Sequence, residues 1–194
     1  MILTDRQIKE ALRNGHLVVD PAPDDGQFGP TSLDLRVSDD FRRFKPELYT
    51  TQGLDVRLNL DRIRLSELAP HMEHLQPESD GTVPLHPGVL VIAATLERIE
   101  LPPEGRLAAR VEGRSSFARL GLVVHMTAPT IHNTFRGVVT LEMMNFGPIP
   151  LVLSPNKTRI CQLILEQLSE PPVSTLDSPF QDQTSPLGSS RKPT

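Results

Sequence analysis

Eight short apolar stretches, at residues 17–19, 32–37, 88–95, 106–111, 122–127, 137–144, 150–153 and 158–166, constrain the fold more than any other feature. None is long enough for an ordinary helix, and turn residues drawn from 19 prolines and 12 glycines separate them. Such spacing predicts an all-β sandwich or barrel rather than alternating β and α units. One helix is expected ahead of the strands. Thr4 can cap it with Gln7 at the third helical position, Ile8, Ala11 and Leu12 share a face, and Gly15 can end it. Residues 61–84 are polar, carry prolines and fit no strand pattern, so a surface insertion with at most one helical turn is expected there. From Pro171 onward apolar side chains such as Leu176, Phe180 and Leu187 are few and scattered, describing a tail that builds no core of its own and must dock or move.

The expected organisation is a barrel domain over residues 1–170 and a tail over residues 171–194. A second catalytic domain has no room in 194 residues. The net charge of −4 argues against broad binding to nucleic acid. No apolar run approaches the ~20 residues of a membrane span, so no membrane partner is expected. The opening Met1-Ile2-Leu3-Thr4-Asp5-Arg6 turns polar at once, unlike a secretory signal, which makes the cytoplasm the expected location. Cys161 is the single cysteine and can supply neither an internal disulfide nor the paired ligands of a zinc site.

Three stretches carry candidate chemistry. In Gly113-Arg114-Ser115-Ser116-Phe117-Ala118-Arg119-Leu120-Gly121-Leu122, hydroxyls and two arginines follow a strand on one local element, a combination suited to an anion such as phosphate. The plainer alternative is a capped turn with two surface arginines. In Gly137-Val138-Val139-Thr140-Leu141-Glu142-Met143-Met144-Asn145, period 2 puts Val139, Leu141 and Met143 on one face and Glu142 with Val138, Thr140 and Met144 on the other. Desolvation there would raise the glutamate's pKa and fit it to be a general base, although a strand glutamate paired with an arginine has the same pattern. Residues 122–137 run from a strand through a polar loop into the glutamate strand, a natural pocket wall. His125 and His132 in that loop lack metal-ligand spacing with a third residue, so no metal is expected.

Taken together, these stretches resemble the deoxycytidine triphosphate (dCTP) deaminase branch of the deoxyuridine triphosphatase (dUTPase)-like superfamily. The likeness runs through Leu3-Thr4-Asp5-Arg6-Gln7-Ile8, Asp20-Pro21, Ser32-Leu33-Asp34-Leu35-Arg36, His86-Pro87-Gly88, Thr95-Leu96-Glu97, residues 113–122 and Thr140-Leu141-Glu142. It implies a distorted β-barrel or jelly-roll subunit in a homotrimer with active sites shared between neighbours. By the same resemblance Glu142 is the base that activates water for attack on cytosine C4. Ser115 and Arg119 orient that water and the base, Arg114 and Ser116 meet the triphosphate, and the backbone at Thr127 and Ala128 reads the pyrimidine. Thr140 and Leu141, just ahead of the base on its strand, bind the substrate, Gln162 matches a nucleotide-contacting glutamine, and Gln183 matches one in a tail that closes over the phosphates. Magnesium (Mg2+) would accompany the triphosphate, with no zinc at the base; a single cysteine is also at odds with a zinc deaminase.

Two departures stand out. Pro129-Thr130-Ile131-His132 replaces a His-Arg-Ile-Asp-like stretch, leaving His132 where an aspartate contacts the sugar, and Ser178-Pro179-Phe180-Gln181-Asp182-Gln183 lacks the usual tail tyrosine and lysine. The function implied is deamination of dCTP to deoxyuridine triphosphate (dUTP) and ammonia, on the route to thymidine triphosphate (dTTP). The alternatives are a bifunctional enzyme that continues to deoxyuridine monophosphate (dUMP) and diphosphate, and a relative that binds nucleotide without turnover.

Overall fold

A computed structural model of the chain describes residues 1–50, 57, 59, 61, 67–174, 178 and 180–188. Helix α1 (Asp5–Arg13) opens where expected, with Gln7 Oε1 accepting from the Thr4 N–H at 3.0 Å. It buries Ile8 and Ala11, and Gly15 at φ +70° turns the chain out of the helix, a conformation glycine adopts without strain. The strands then follow: β1 (Val18–Asp20), β2 (Phe28–Gly29), β3 (Ser32–Phe44), β4 (Met72–His74), β5 (Val83–Leu85), β6 (Leu90–Glu100) and β7 (Leu107–Gly113). After the short helix α2 (Ser115–Ala118) come β8 (Leu122–Val123), β9 (Thr130–Ile131), β10 (Arg136–Asn145), β11 (Leu151–Leu153) and β12 (Arg159–Gln167).

Ten strands form one curled antiparallel half-barrel, with β8-β10-β6-β3-β12-β7-β9 as its path, β1 added on β6, and β2 and β4 on β3. A separate ribbon joins β5 to β11. Strand β3 links the two halves of the sheet, since Leu33 to Arg36 pair with β12 while Val37 and Phe41 to Arg43 pair with β6. Its alternating Leu33, Leu35, Val37 and Phe41 are fully buried, as are Leu141, Met143, Leu163 and Leu165 from β10 and β12. Each such side chain contributes roughly 1.5–3 kcal/mol of burial free energy. Cys161 is also fully buried on β12, opposite Leu35 on one side and Gly113 on the other, and burial pushes its thiol pKa up.

A bulge interrupts the β6–β10 ladder, where residues 95–97 stand opposite Val139 alone. The Thr95 hydroxyl repairs the gap by accepting from the Val139 N–H at 2.9 Å and donating to the Glu97 carbonyl at 2.7 Å. The bulge turns Glu97 inward, where it is fully buried yet compensated by Gln27 Nε2 at 2.9 Å, the Arg36 N–H at 2.8 Å and Arg36 Nε at 2.7 Å.

Two expectations need correction, and one left open is decided. Residues 61–84 are not a strandless insertion, because β4 and the start of β5 lie within them and Met72 is buried; Leu65 and Ser66 fall outside the described residues. A three-residue strand carries too few alternations to be read from sequence. The apolar run at 122–127 is a strand only as far as Val123. Lastly, residues 180–188 of the tail dock: the Val138 N–H donates to the Gln183 carbonyl at 3.1 Å, and the Asp182 N–H donates to the Arg136 carbonyl at 2.6 Å.

Candidate active site

The half-barrel, the loop after β8 and the tail enclose a cavity of about 560 Å³. Strand β10 forms one wall. Its bulge-adjusted alternation sends Val139, Leu141 and Met143 toward the core and leaves Val138, Thr140 and Glu142 half-buried on the other face. Phe135, Ile92 and the tail's Phe180 and Leu187 give the cavity an apolar lining in which Glu142 is the only carboxylate among the described residues. Burial raises the Glu142 carboxyl above its ordinary range, opposed by the Met126 N–H, its own N–H and the nearby His125 ring. A carboxylate so placed can take a proton from water and later return it, which is what a base working near neutral pH requires.

Of the residues singled out in the sequence, Ala128, His132, Thr140, Glu142 and Gln183 line this cavity. Gln183 is nearly buried, and its amide donates to the Val138 carbonyl at 2.6 Å and to Thr140 Oγ1 at 3.3 Å. Thr127 is exposed beside the cavity without lining it. The Leu141 side chain is fully buried on the core face, so it braces the strand and offers the cavity no side-chain group. His125, whose spacing in the sequence did not fit a metal ligand, lines the cavity next to Glu142.

Arg114, Ser115, Ser116, Arg119 and Gln162 gather elsewhere. β7 ends at Gly113, and Arg114 then caps α2, which presents Ser115, Ser116 and Arg119 to solvent. Arg114 is held from three sides: its Nη1 donates to the Arg159 carbonyl at 3.1 Å, lies 3.3 Å from Asp34 Oδ2, and its guanidinium carbon lies 5.5 Å from the Phe117 ring centre. Gln162 Nε2 donates to Ser32 Oγ at 3.0 Å and to Asp34 Oδ1 at 3.3 Å. This group offers guanidinium and hydroxyl donors suited to phosphate, and its carboxylate, Asp34, is already engaged by Arg114 and Gln162. The cavity offers a base but none of these arginines or serines, so within one subunit neither group completes a hydrolytic site.

Asp34 is the residue that sequence reasoning passed over. Its signal was present, since an acid inside an apolar strand is what singled out Glu142, and the same is true of Glu97. Among the described residues no cluster of three or more His, Cys, Asp or Glu side chains could hold a metal ion. Nor is any helix among them long and apolar enough to cross a membrane.

Known proteins resemble this chain in sequence and in fold. Residues 2–168 match a family model described as dCTP deaminase-like. The chain is similar to a dUMP-forming dCTP deaminase of Methanosphaera stadtmanae, at 37% identity over 95% of this chain and 91% of that one. It is also similar to a dCTP deaminase of Rhodospirillum rubrum, at 35% identity over 97% of this chain and 96% of that one. Among solved structures, the 2'-deoxycytidine 5'-triphosphate deaminase of Agrobacterium tumefaciens shares the fold with a TM-score of 0.61 at 22% identity, covering 84% of this chain and 47% of that chain.

Proposed function

Since the chain belongs to the dCTP deaminase family of hydrolases, of the dUTPase-like fold, we propose that it converts dCTP and water to dUTP and ammonia. The observation that carries this reading is Glu142, a carboxylate whose pKa burial raises, in an apolar cavity large enough for a pyrimidine nucleoside. Glu142 takes one proton from water as the oxygen attacks cytosine C4 and passes it to N3, then moves the remaining hydroxyl proton to the exocyclic nitrogen, which leaves as ammonia while the C4 oxygen becomes the uracil carbonyl. The backbone at Thr127 and Ala128 reads the pyrimidine edge, Thr140 and His132 face the sugar, and Gln183 closes the tail over the nucleotide.

The cations and hydroxyls come from a neighbouring copy. We place Ser115 and Arg119 of one subunit against Glu142 of the next, in a homotrimer whose head-to-tail contacts build three shared sites. Arg114, Ser116 and Gln162 then meet the triphosphate. The division of donors and base into two groups on one chain supports this arrangement. Residues 1–170 make up the deaminase domain and residues 171–194 the closing tail. Magnesium belongs to the substrate, as the counterion of the triphosphate.

The relatives divide between enzymes named dCTP deaminase and enzymes named dUMP-forming dCTP deaminase, which keeps a bifunctional reading beside the first. Incubating the protein with dCTP and magnesium, while following ammonia, dUTP, dUMP and diphosphate, decides the matter. Ammonia with dUTP is the expected result. Ammonia with dUMP and diphosphate makes the enzyme bifunctional, and dCTP binding without any product leaves a nucleotide-binding relative.

A further inference from the structure

Asp34 is 8% exposed, and a carboxylate buried to that degree needs partners for its oxygens. Its two partners are both residues placed at the triphosphate. Oδ2 lies 3.3 Å from Arg114 Nη1, and Oδ1 accepts from Gln162 Nε2 at 3.3 Å. The strand is fixed beneath it as well: the Asp34 carbonyl accepts from Gln27 Nε2 at 2.8 Å, and the same amide donates to buried Glu97 at 2.9 Å. The carboxylate is thus set from the core and in turn sets two groups at the surface.

Resting on the proposed triphosphate contacts, we infer that Asp34 is a positioning residue that holds Arg114 and Gln162 ready for the phosphate chain. An arginine side chain free in solvent must lose its rotamer freedom when it engages phosphate. Arg114 has lost that freedom already, between the Asp34 carboxylate, the Arg159 carbonyl and the Phe117 ring, while its side chain keeps 32% of its surface open to solvent. Asp34 itself does not reach the ligand, because its side chain is only 11% exposed. Its effect must therefore pass through Arg114 and Gln162 and appear only with ligands that carry the phosphate chain.

The test is a double-mutant cycle on the full chain. Asp34→Asn keeps the side chain's volume and one acceptor while removing the charge opposite Arg114; Asp34→Ser repeats the cycle if that variant does not fold. Affinities for dCTP with magnesium and for deoxycytidine are measured by calorimetry for wild type, Asp34→Asn, Arg114→Gln and the double variant, with kcat and KM alongside. Asp34→Asn is expected to weaken dCTP binding and raise KM on the order of tenfold, the worth of one charge-assisted hydrogen bond, with kcat within roughly twofold. Deoxycytidine affinity should stay unchanged, and the double variant should bind dCTP no worse than Arg114→Gln alone. Additive losses, or equal losses for dCTP and deoxycytidine, overturn the positioning role in favour of a purely structural one. A wild-type protein that releases no ammonia from dCTP overturns the proposed reaction instead, while the binding cycle still decides for or against Asp34.

Discussion

Burial denies Glu142 the easy ionisation of a surface carboxylate, and the direction of that shift fixes two outcomes. Its folded-state pKa lies above the unfolded value, so its contribution to stability is full below the unfolded pKa and is lost as pH rises through the folded one. At neutral pH the ionised group therefore weighs against the fold. Glu142→Gln is expected to abolish ammonia release, by about 10²–10⁴-fold or more, and at the same time to raise Tm at neutral pH, with the gain vanishing below the ordinary carboxylate range. Thermal scans at both pH values check the second half. Glu97 is the opposite kind of acid, enclosed by Gln27 and Arg36, and Glu97→Ala should cost about 3–5 kcal/mol in denaturant unfolding because it strands the guanidinium. Glu142 was legible in the sequence because it is the one acid in an otherwise apolar strand, residues 137–145. Asp34 and Glu97 carried the same mark, but only the fold shows that one serves the surface and the other the core.

Strands longer than six residues could be read from their apolar runs: β7, β10 and β12 stand close to where the pattern put them, while β3 and β6 continue well past residues 37 and 95, where the runs end. What escaped was short or irregular: β4 and β9 are three and two residues long, and the bulge at residues 95–97 leaves no trace in composition. The tail escaped for a different reason, since its anchor is electrostatic. Asp182 pairs with Arg136 through both carboxylate oxygens and lies 3.2 Å from Arg98. The Arg136 guanidinium, bonded to Asp182, holds its carboxyl below the usual range. That contribution is present above the unfolded pKa and is lost as pH falls through the folded one, so acid should release the tail before the barrel opens. Asp182→Asn is expected to speed proteolytic clipping of residues 180–188 at neutral pH while moving barrel stability by no more than about 0.5 kcal/mol.

At the scale of the whole molecule, the sequence displayed both the donors near α2 and the base on β10 but not their separation within one chain, because the distance between two elements is set by tertiary folding and leaves no periodic signal. Complementation reads that separation directly. Ser115→Ala and Glu142→Gln variants, each inactive alone, should recover activity when unfolded and refolded together, with roughly a quarter of the sites restored by random mixing of head-to-tail neighbours. Sites built within single subunits would recover nothing. Cys161, sealed between β3 and β7, gives the assembly an internal clock. A thiol reagent can reach it only when the central strands part, so the pace of labelling reports how often the barrel opens and is indifferent to the fraying of the tail. With no second thiol to blur the count, each molecule that has ever opened carries a single covalent record of the event.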